Sequence, residues 1–200
     1  MSRLHWDEVV EDALGNSLKL GVPAIRTDDT YVIYSVAYLT ALRFGGLRAI
    51  DAGAGTGFST IWVAKALYES GVDGRIYAVE KSVQRFRKLK ELVDKHCLNH
   101  LIIPVNGDAL EYVRNIENGL NFVFMDIEKE YYLGFFKRIR DKILSEGVIL
   151  AHNTKHSYGT IKAFLKEASE DGWRTTIVST EEGISISFKL HDPVGSTPND

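Results

Sequence analysis

The sequence predicts an α/β protein on a doubly wound, mostly parallel sheet, and three observations predict it. Short β-rich runs alternate with stretches of helical spacing along most of the chain. The first five runs, "LRAIDAG", "GRIYAVE", "LIIPVNGD", "LNFVFMD" and "EGVILAHN", each end in Asp, Glu, Asn or Gly. The first of them opens through three glycines spaced two apart into a helix-like stretch, "AIDAGAGTGFST" from Ala49 to Thr60. Alternation of this kind gives parallel strands with helices on both faces.

In chain order, the part before Leu47 reads as helical. Thr27 or Asp28 can cap a helix with one apolar face, Tyr31, Tyr34, Ala37, Tyr38, Ala41 and Leu42, which Gly45-Gly46 ends. Such a face is core packing or, because it directly precedes the glycine turn, a cover for a binding site. Between Ser82 and His96, Val83, Phe86, Leu89 and Val93 recur every three or four residues, with Ser82 as the N-cap. The other face of that helix carries Arg85, Arg87, Lys88 and Lys90 and is read as solvated, with nucleic-acid contact as the sharper alternative. "WRTTIVST" and "GISISFKL", separated by "EEG", read as a hairpin that adds an antiparallel edge. The last ten residues, "HDPVGSTPND", are expected to form a disordered tail.

Composition narrows the partner. With 200 residues, 44% apolar and 26% charged, the chain makes one domain. A net charge of -3 and a pI near 6.1 give no general attraction to nucleic acid or anionic membranes. No apolar run approaches the roughly 20 residues that span a bilayer, and "MSRLHWDEVV" lacks a signal-peptide core, so a cytoplasmic protein is expected. The single cysteine, Cys97, is expected to be a small buried side chain.

Gly53, Gly55 and Gly57 permit a tight turn, close approach of a ligand and packing of the next helix near its strand, with amide N–H groups pointing outward. The spacing is G-x-G-x-G, with Phe58 where a dinucleotide fingerprint needs glycine, so a pyrophosphate is disfavoured while a nucleotide-like ligand is not. Three carboxylates stand at the ends of neighbouring strands. Glu80 can accept from both ribose hydroxyls, Asp108 from an adenine amino group, and Asp126 would lie beside the reaction centre. Each could equally be a strand-end cap.

From Arg48 to Leu190 the chain resembles the class I S-adenosylmethionine-dependent methyltransferases, in particular their catechol and caffeoyl-CoA O-methyltransferase-like branch. The resemblance is carried by "AIDAGAGTGFST", "IYAVEKS", "VNGDALE", "VFMDIEKEYY" and "ILAHN". The most specific part is the Asp-x-x-Lys with a Tyr three residues on, in "MDIEKEYY". The resemblance implies a Rossmann-like, seven-stranded sheet whose last strand is antiparallel. A single methyltransferase domain is expected over residues 1–190, with a helical segment 1–46, a core 47–190 and a tail 191–200. The resemblance also implies that Gly53 and Gly55 line the methionine part of S-adenosyl-L-methionine, with Ser59 near it. Glu80 holds the ribose, Asp108 and Ala109 frame the adenine, and Asp51, Gly57 and Asp126 complete the cofactor set. Lys129 resembles the catalytic lysine.

Two departures leave alternatives open. In the metal-dependent branch the fifth strand ends in Asp-Asn, and Asp126 with that pair resembles a set of divalent-metal ligands. Here the pair is His152-Asn153, which removes a carboxylate and an oxygen donor, so a divalent metal is left open and His152 is a second candidate base. His156, four residues on, adds an H-x3-H spacing. The segment "TKHSYG" is short for an acceptor-shaping insertion, and with Lys155 and Tyr158 it keeps an RNA acceptor in play. The leading expectation is O-methylation of a small phenolic or enolic acceptor. The alternatives are a tRNA or RNA methyltransferase and a non-catalytic cofactor-binding relative. A homodimer is expected from the apolar surface of the Tyr31–Leu42 helix.

Overall fold

The computed structural model describes residues 4–155 and 159–191. His156, Tyr158 and residues 192–200 of the tail lie outside the described residues, and with them three of the expectations above. Two helices come first, α1 (Trp6–Lys19) and α2 (Thr27–Phe44). Then follow β1 (Gly46–Ala52), α3 (Phe58–Ser70), β2 (Asp73–Glu80), α4 (Val83–Lys95), β3 (Ile102–Asn106) and α5 (Ala109–Asn115). The chain continues with β4 (Leu120–Met125), α6 (Tyr132–Ile139), β5 (Ile143–Ala151), α7 (Gly159–Glu167), β6 (Trp173–Val178) and β7 (Ile184–Lys189).

The strands form one seven-stranded sheet in the order β3-β2-β1-β4-β5-β7-β6. β1 to β5 pair in parallel, and β7 runs antiparallel to both β5 and β6. The expected hairpin is present, but its antiparallel strand is not the edge. β7 inserts between β5 and β6, burying Ile184, Ser185 and Ser187, and the more exposed β6 becomes the outer strand. The strand order reverses between β1 and β4, which opens a crevice at their carboxyl ends, the usual ligand position of such sheets.

One apolar cluster lies on each sheet face. Ile33, Ala37, Ile61, Leu67, Leu89 and Leu92 pack from α2, α3 and α4 on one side. Val113, Phe135, Phe136, Ile139, Ile161 and Phe164 pack from α5, α6 and α7 on the other. β4 runs through the middle with every residue buried, which is why "LNFVFM" shows no polar alternation. Its one polar side chain, Asn121, extends the ladder by accepting from Arg48 N and donating to the Gly46 carbonyl, both at 2.9 Å.

Four local expectations change. α2 begins after Arg26, whose backbone N–H reaches the Asp29 carboxylate at 3.3 Å, so Asp29 caps the helix in place of Thr27 or Asp28. Its buried face is Thr30, Ile33, Ala37, Thr40 and Ala41; Tyr31 is 60% and Leu42 48% exposed, because the helix is rotated to set its small residues against α3 and the sheet. In α4, Ser82 accepts from Arg85 N as expected, but Leu92 joins Leu89 and Val93 in the core while Val83 is exposed. Cys97 is exposed, at a φ of 54° just past the end of α4, where the chain leaves the core.

Candidate functional site

The glycine turn joins β1 to α3 and sets both walls of the crevice. At Gly53 φ is +88°, and a Cβ there would strike the backbone carbonyl of Asp126, so only glycine lets the end of β1 lie against the end of β4. At Gly57 φ is +103° and a Cβ would meet Leu89 Cδ1 at 2.9 Å, which brings α3 close under α4. The amides do not point outward as the sequence suggested. Gly53 N and Ala54 N both donate to the Val79 carbonyl at 3.0 Å, Gly57 N to the Ala54 carbonyl at 2.9 Å, and Gly55 N to Glu80 Oε2 at 2.8 Å. The turn spends three of these donors on β2 and one on itself, which leaves fewer amides for an anion and agrees with the missing pyrophosphate fingerprint.

Two clefts meet at this turn. One, of about 350 Å³, lies over the ends of β2, β3 and β4 and is lined by Gly53, Glu80, Lys81, Asp108, Ala109, Asp126 and Lys129. The other, of about 640 Å³, is lined by Gly53, Gly55, Ser59, Asp126, His152 and Asn153. Its apolar wall comes from Leu14, Leu18, Val22, Pro23, Ile25 and Phe58. Gly53, Arg85 and Asp126 line both. Both volumes lie in the range of small-molecule sites.

Glu80 is buried, and its two oxygens accept from Gly55 N at 2.8 Å and Ser82 N at 2.7 Å, each keeping a lone pair. Asp108 caps α5 through Oδ1, which accepts from Leu110 N and Glu111 N, and Oδ2 takes no part in that cap. The cap role and the pocket role therefore coincide in both residues. Asp51 and Gly57 line neither cleft. Asp51 lies beneath the turn, where Oδ2 accepts from Ser59 at 2.8 Å and Thr60 at 2.5 Å while Oδ1 has no partner. Burial pushes its carboxyl up to about 6 against the pull of those two hydroxyls.

On the β4–β5 side the charged groups are locked to one another. Lys129 Nζ donates to Asp126 Oδ1 at 2.9 Å, to the Tyr132 hydroxyl at 2.8 Å and to the Ile127 carbonyl at 3.3 Å. The Tyr132 hydroxyl faces the carbonyls of Met125 and His152, which ties β4 to β5. Its ring packs edge-on against Phe164, with centroids 5.7 Å apart. Burial, then the charge of Asp126, raises the Tyr132 hydroxyl well above its ordinary range and keeps it a neutral donor. Burial would also raise Asp126, but the hydrogen bond from His152 and the charge of Lys129 outweigh it and hold the carboxyl at about 2. His152 lies 3.2 Å from Asp126 Oδ2 through Nδ1 and 3.0 Å from Asp29 Oδ2 through Nε2. Burial would lower the imidazole, and the two carboxylates overcome it and raise it.

As they stand, Asp126, His152 and Asn153 do not fit a divalent ion. Both His152 nitrogens face carboxylates and each Asp126 oxygen already takes a donor from a basic side chain, which leaves the amide oxygen of Asn153, whose Nδ2 donates to Glu182 Oε2 at 3.0 Å, as the neutral donor of the three. Among the described residues no group of three or more His, Cys, Asp or Glu side chains forms a metal-holding cluster. Asp29, a fully buried contributor from α2, has no motif to announce it, since "TDDTY" reads only as an acidic first turn of a helix.

A 3-2-1-4-5-7-6 sheet with one antiparallel strand and carboxylates at the ends of β2, β3 and β4 defines a Rossmann-like protein of the methyltransferase class. The model of a family described as "Methyltransferase domain" matches residues 50–154, and the chain belongs to that family. It is 28% identical over 151 residues to Tapetum-specific methyltransferase 1 of Arabidopsis thaliana, covering 74% of this chain and 60% of that one. It is 31% identical over 113 residues to Caffeoyl-CoA O-methyltransferase 2 of Petunia hybrida, covering 54% and 46%. The chain thus spans about half to three-fifths of these two curated relatives. The fold matches the O-methyltransferase from Bacillus cereus, solved in complex with SAH, with a TM-score of 0.79 at 18% identity, covering 92% of this chain and 91% of that one. No described helix is long and apolar enough to cross a membrane.

Proposed function

We propose that the chain transfers the methyl group of S-adenosyl-L-methionine to a hydroxyl oxygen of a small phenolic or enolic acceptor. The observation that carries this reading is the meeting of two clefts at Gly53 and Asp126, with Lys129 on the same carboxylate. The cleft over β2 and β3 would hold the nucleoside, with ribose hydroxyls on the remaining lone pairs of Glu80 and the adenine amino group on Asp108 Oδ2. The larger cleft, with its apolar wall from Leu14, Leu18, Val22, Pro23, Ile25 and Phe58, suits an aromatic acceptor. In the transfer the C–S bond breaks as the C–O bond forms, the sulfur leaves as a neutral thioether, and the acceptor proton passes to a protein base. Lys129, an ammonium on Asp126 at rest, is assigned that proton after releasing one of its own to solvent. Asp126 orients the acceptor hydroxyl, and His152, engaged through both ring nitrogens, holds Asp126 in place.

Relatives named as O-methyltransferases support the oxygen acceptor. An RNA acceptor draws less support, because Lys88 and Lys90 on the basic face of α4 are paired with Glu91 and Asp94 at 2.5 Å. The test is calorimetry with the cofactor and its demethylated product, followed by transfer of radiolabelled methyl to catechols, flavonoids and bulk tRNA. Heat with both cofactor forms and label on a small acceptor are expected. Label confined to tRNA would move the assignment to RNA, and binding without transfer to any acceptor would favour a non-catalytic relative. The chain is also proposed to be a cytoplasmic homodimer joined through the exposed Tyr31, Leu39 and Leu42 of α2. Light scattering at micromolar concentration that returns 22.4 kDa, the mass of one chain, would overturn the dimer.

A further inference from the structure

A histidine that binds a metal ordinarily gives one ring nitrogen to the ion and lets a carboxylate or carbonyl hold the N–H of the other. His152 departs from that pattern because a carboxylate stands at each nitrogen, Asp126 at Nδ1 and Asp29 at Nε2. We propose that this site excludes a divalent ion because the chain supplies its own cations there: the His152 ring clamped between Asp29 and Asp126, and the Lys129 ammonium on the other oxygen of Asp126.

Ionised carboxylates only accept hydrogen bonds, so a ring with a carboxylate at each nitrogen carries a proton on both and has no lone pair for a metal. Asp126 is equally committed, with one oxygen on Lys129 and the other on His152. Two carboxylates therefore balance an imidazolium and an ammonium, and an incoming dication would meet a neutral cluster with those cations on the atoms it would need, instead of a surplus of negative charge. Asp29 decides the outcome. It is fully buried, it is fixed by the Arg26 backbone N–H at the start of α2, and it occupies the nitrogen that an ion would need. Without it, His152 could turn a free nitrogen to a metal that tolerates imidazole, such as Mn²⁺. The consequence for catalysis, that the acceptor proton must leave to a protein group, rests on the methyl-transfer reading above; the exclusion of the ion does not.

The test therefore reads metal directly, on the full chain without cofactor or acceptor, by the electron paramagnetic resonance signal of free Mn²⁺. The wild-type chain is expected to leave that signal undiminished up to millimolar metal. His152→Asp, which restores a carboxylate and removes the internal cation, is expected to take up one Mn²⁺ per chain at least about tenfold more tightly. Where circular dichroism shows that this variant does not fold, His152→Asp combined with Asp29→Asn carries less surplus charge and is expected to show the same gain. Sub-millimolar uptake of one ion by the wild-type chain, abolished in Asp126→Asn, would overturn the inference. So would a folded His152→Asp variant that binds no more tightly than wild type. Neither outcome bears on whether the chain transfers methyl groups, which the labelled assay reads separately.

Discussion

The crevice has two halves built on opposite principles. On the β1–β3 side, Glu80 and Asp108 are satisfied by backbone amides, and the partners lie within 25 residues of each other. On the β4–β5 side, Asp126 is held by two charged side chains and Asp29 by His152 and the Arg26 amide through Oδ2 alone, with Oδ1 unpartnered, and the Asp29–His152 contact spans 123 residues. Backbone donors come with the fold and carry no net charge, so the first half can present carboxylates to a neutral ribose and adenine without a counterion. The second half holds four formal charges beside the crevice. Each charge is tolerated there only because the others are in place, so single substitutions are expected to cost far more in that half.

The largest effect expected is from Asp29→Ala, which leaves the buried His152 ring with one carboxylate and a fully buried gap. Loss of one partner of a buried ion pair costs about 3–5 kcal/mol of folding stability. Urea unfolding at unchanged m-value reads it, and a loss below about 1 kcal/mol would mean that the two halves are not built differently. Next comes Lys129→Ala, which is expected to lower turnover by roughly ten-to-a-thousandfold with cofactor affinity nearly unchanged. Equal losses in turnover and cofactor affinity would place Lys129 in the wrong half.

Asp51 sharpens the comparison, being a fully buried carboxylate under the first half whose partners are two neutral hydroxyls. Its carboxyl is raised from 3.8 to about 6, so between those values the folded chain binds more protons than the unfolded one. Stability attributable to Asp51 should therefore fall as pH rises from about 4 to about 6, by something on the order of 3 kcal/mol. Asp51→Asn keeps an acceptor for Ser59 and Thr60 and should flatten that slope in thermal unfolding measured across the same pH range. An unchanged slope would assign it to other groups. Glu80→Ala is expected to weaken cofactor binding by roughly 1–3 kcal/mol, since it leaves Gly55 N, Ser82 N and the ribose hydroxyls unpaired. The smallest effect is Asp108→Ala, a lost helix cap worth about 1 kcal/mol in stability with a modest loss of cofactor affinity. A larger penalty there than at Glu80 would reverse the ranking within the first half.

What could be read from residue order alone follows the same division. The β-rich runs, the G-x-G-x-G turn, the carboxylates at Glu80, Asp108 and Asp126, and the Lys129 and Tyr132 spacing are all short-range patterns. Strand periodicity, turn chemistry and strand ends are set by neighbours in the chain, so they are legible without coordinates. The direction of the turn's amides is not legible, because a turn's spacing does not say which partner takes its N–H groups; β2 takes three of them through Val79 and Glu80, and Ala54 takes that of Gly57. The face of α2 is legible only in part: Ala37 and Ala41 lie on it as the spacing suggests, whereas Ile33, Thr30 and Thr40 complete it and Tyr31 and Leu42 stay exposed.

Only the tertiary structure decided that β7 inserts inside β6, that Gly53 touches Asp126, and that Asp29 closes on His152. The sequence determined which residues carry charge at the strand ends; it did not determine which charges meet. Pairing across 123 residues depends on how α2 is laid against the ends of β4 and β5, and that is settled by packing of apolar faces far from the charges themselves.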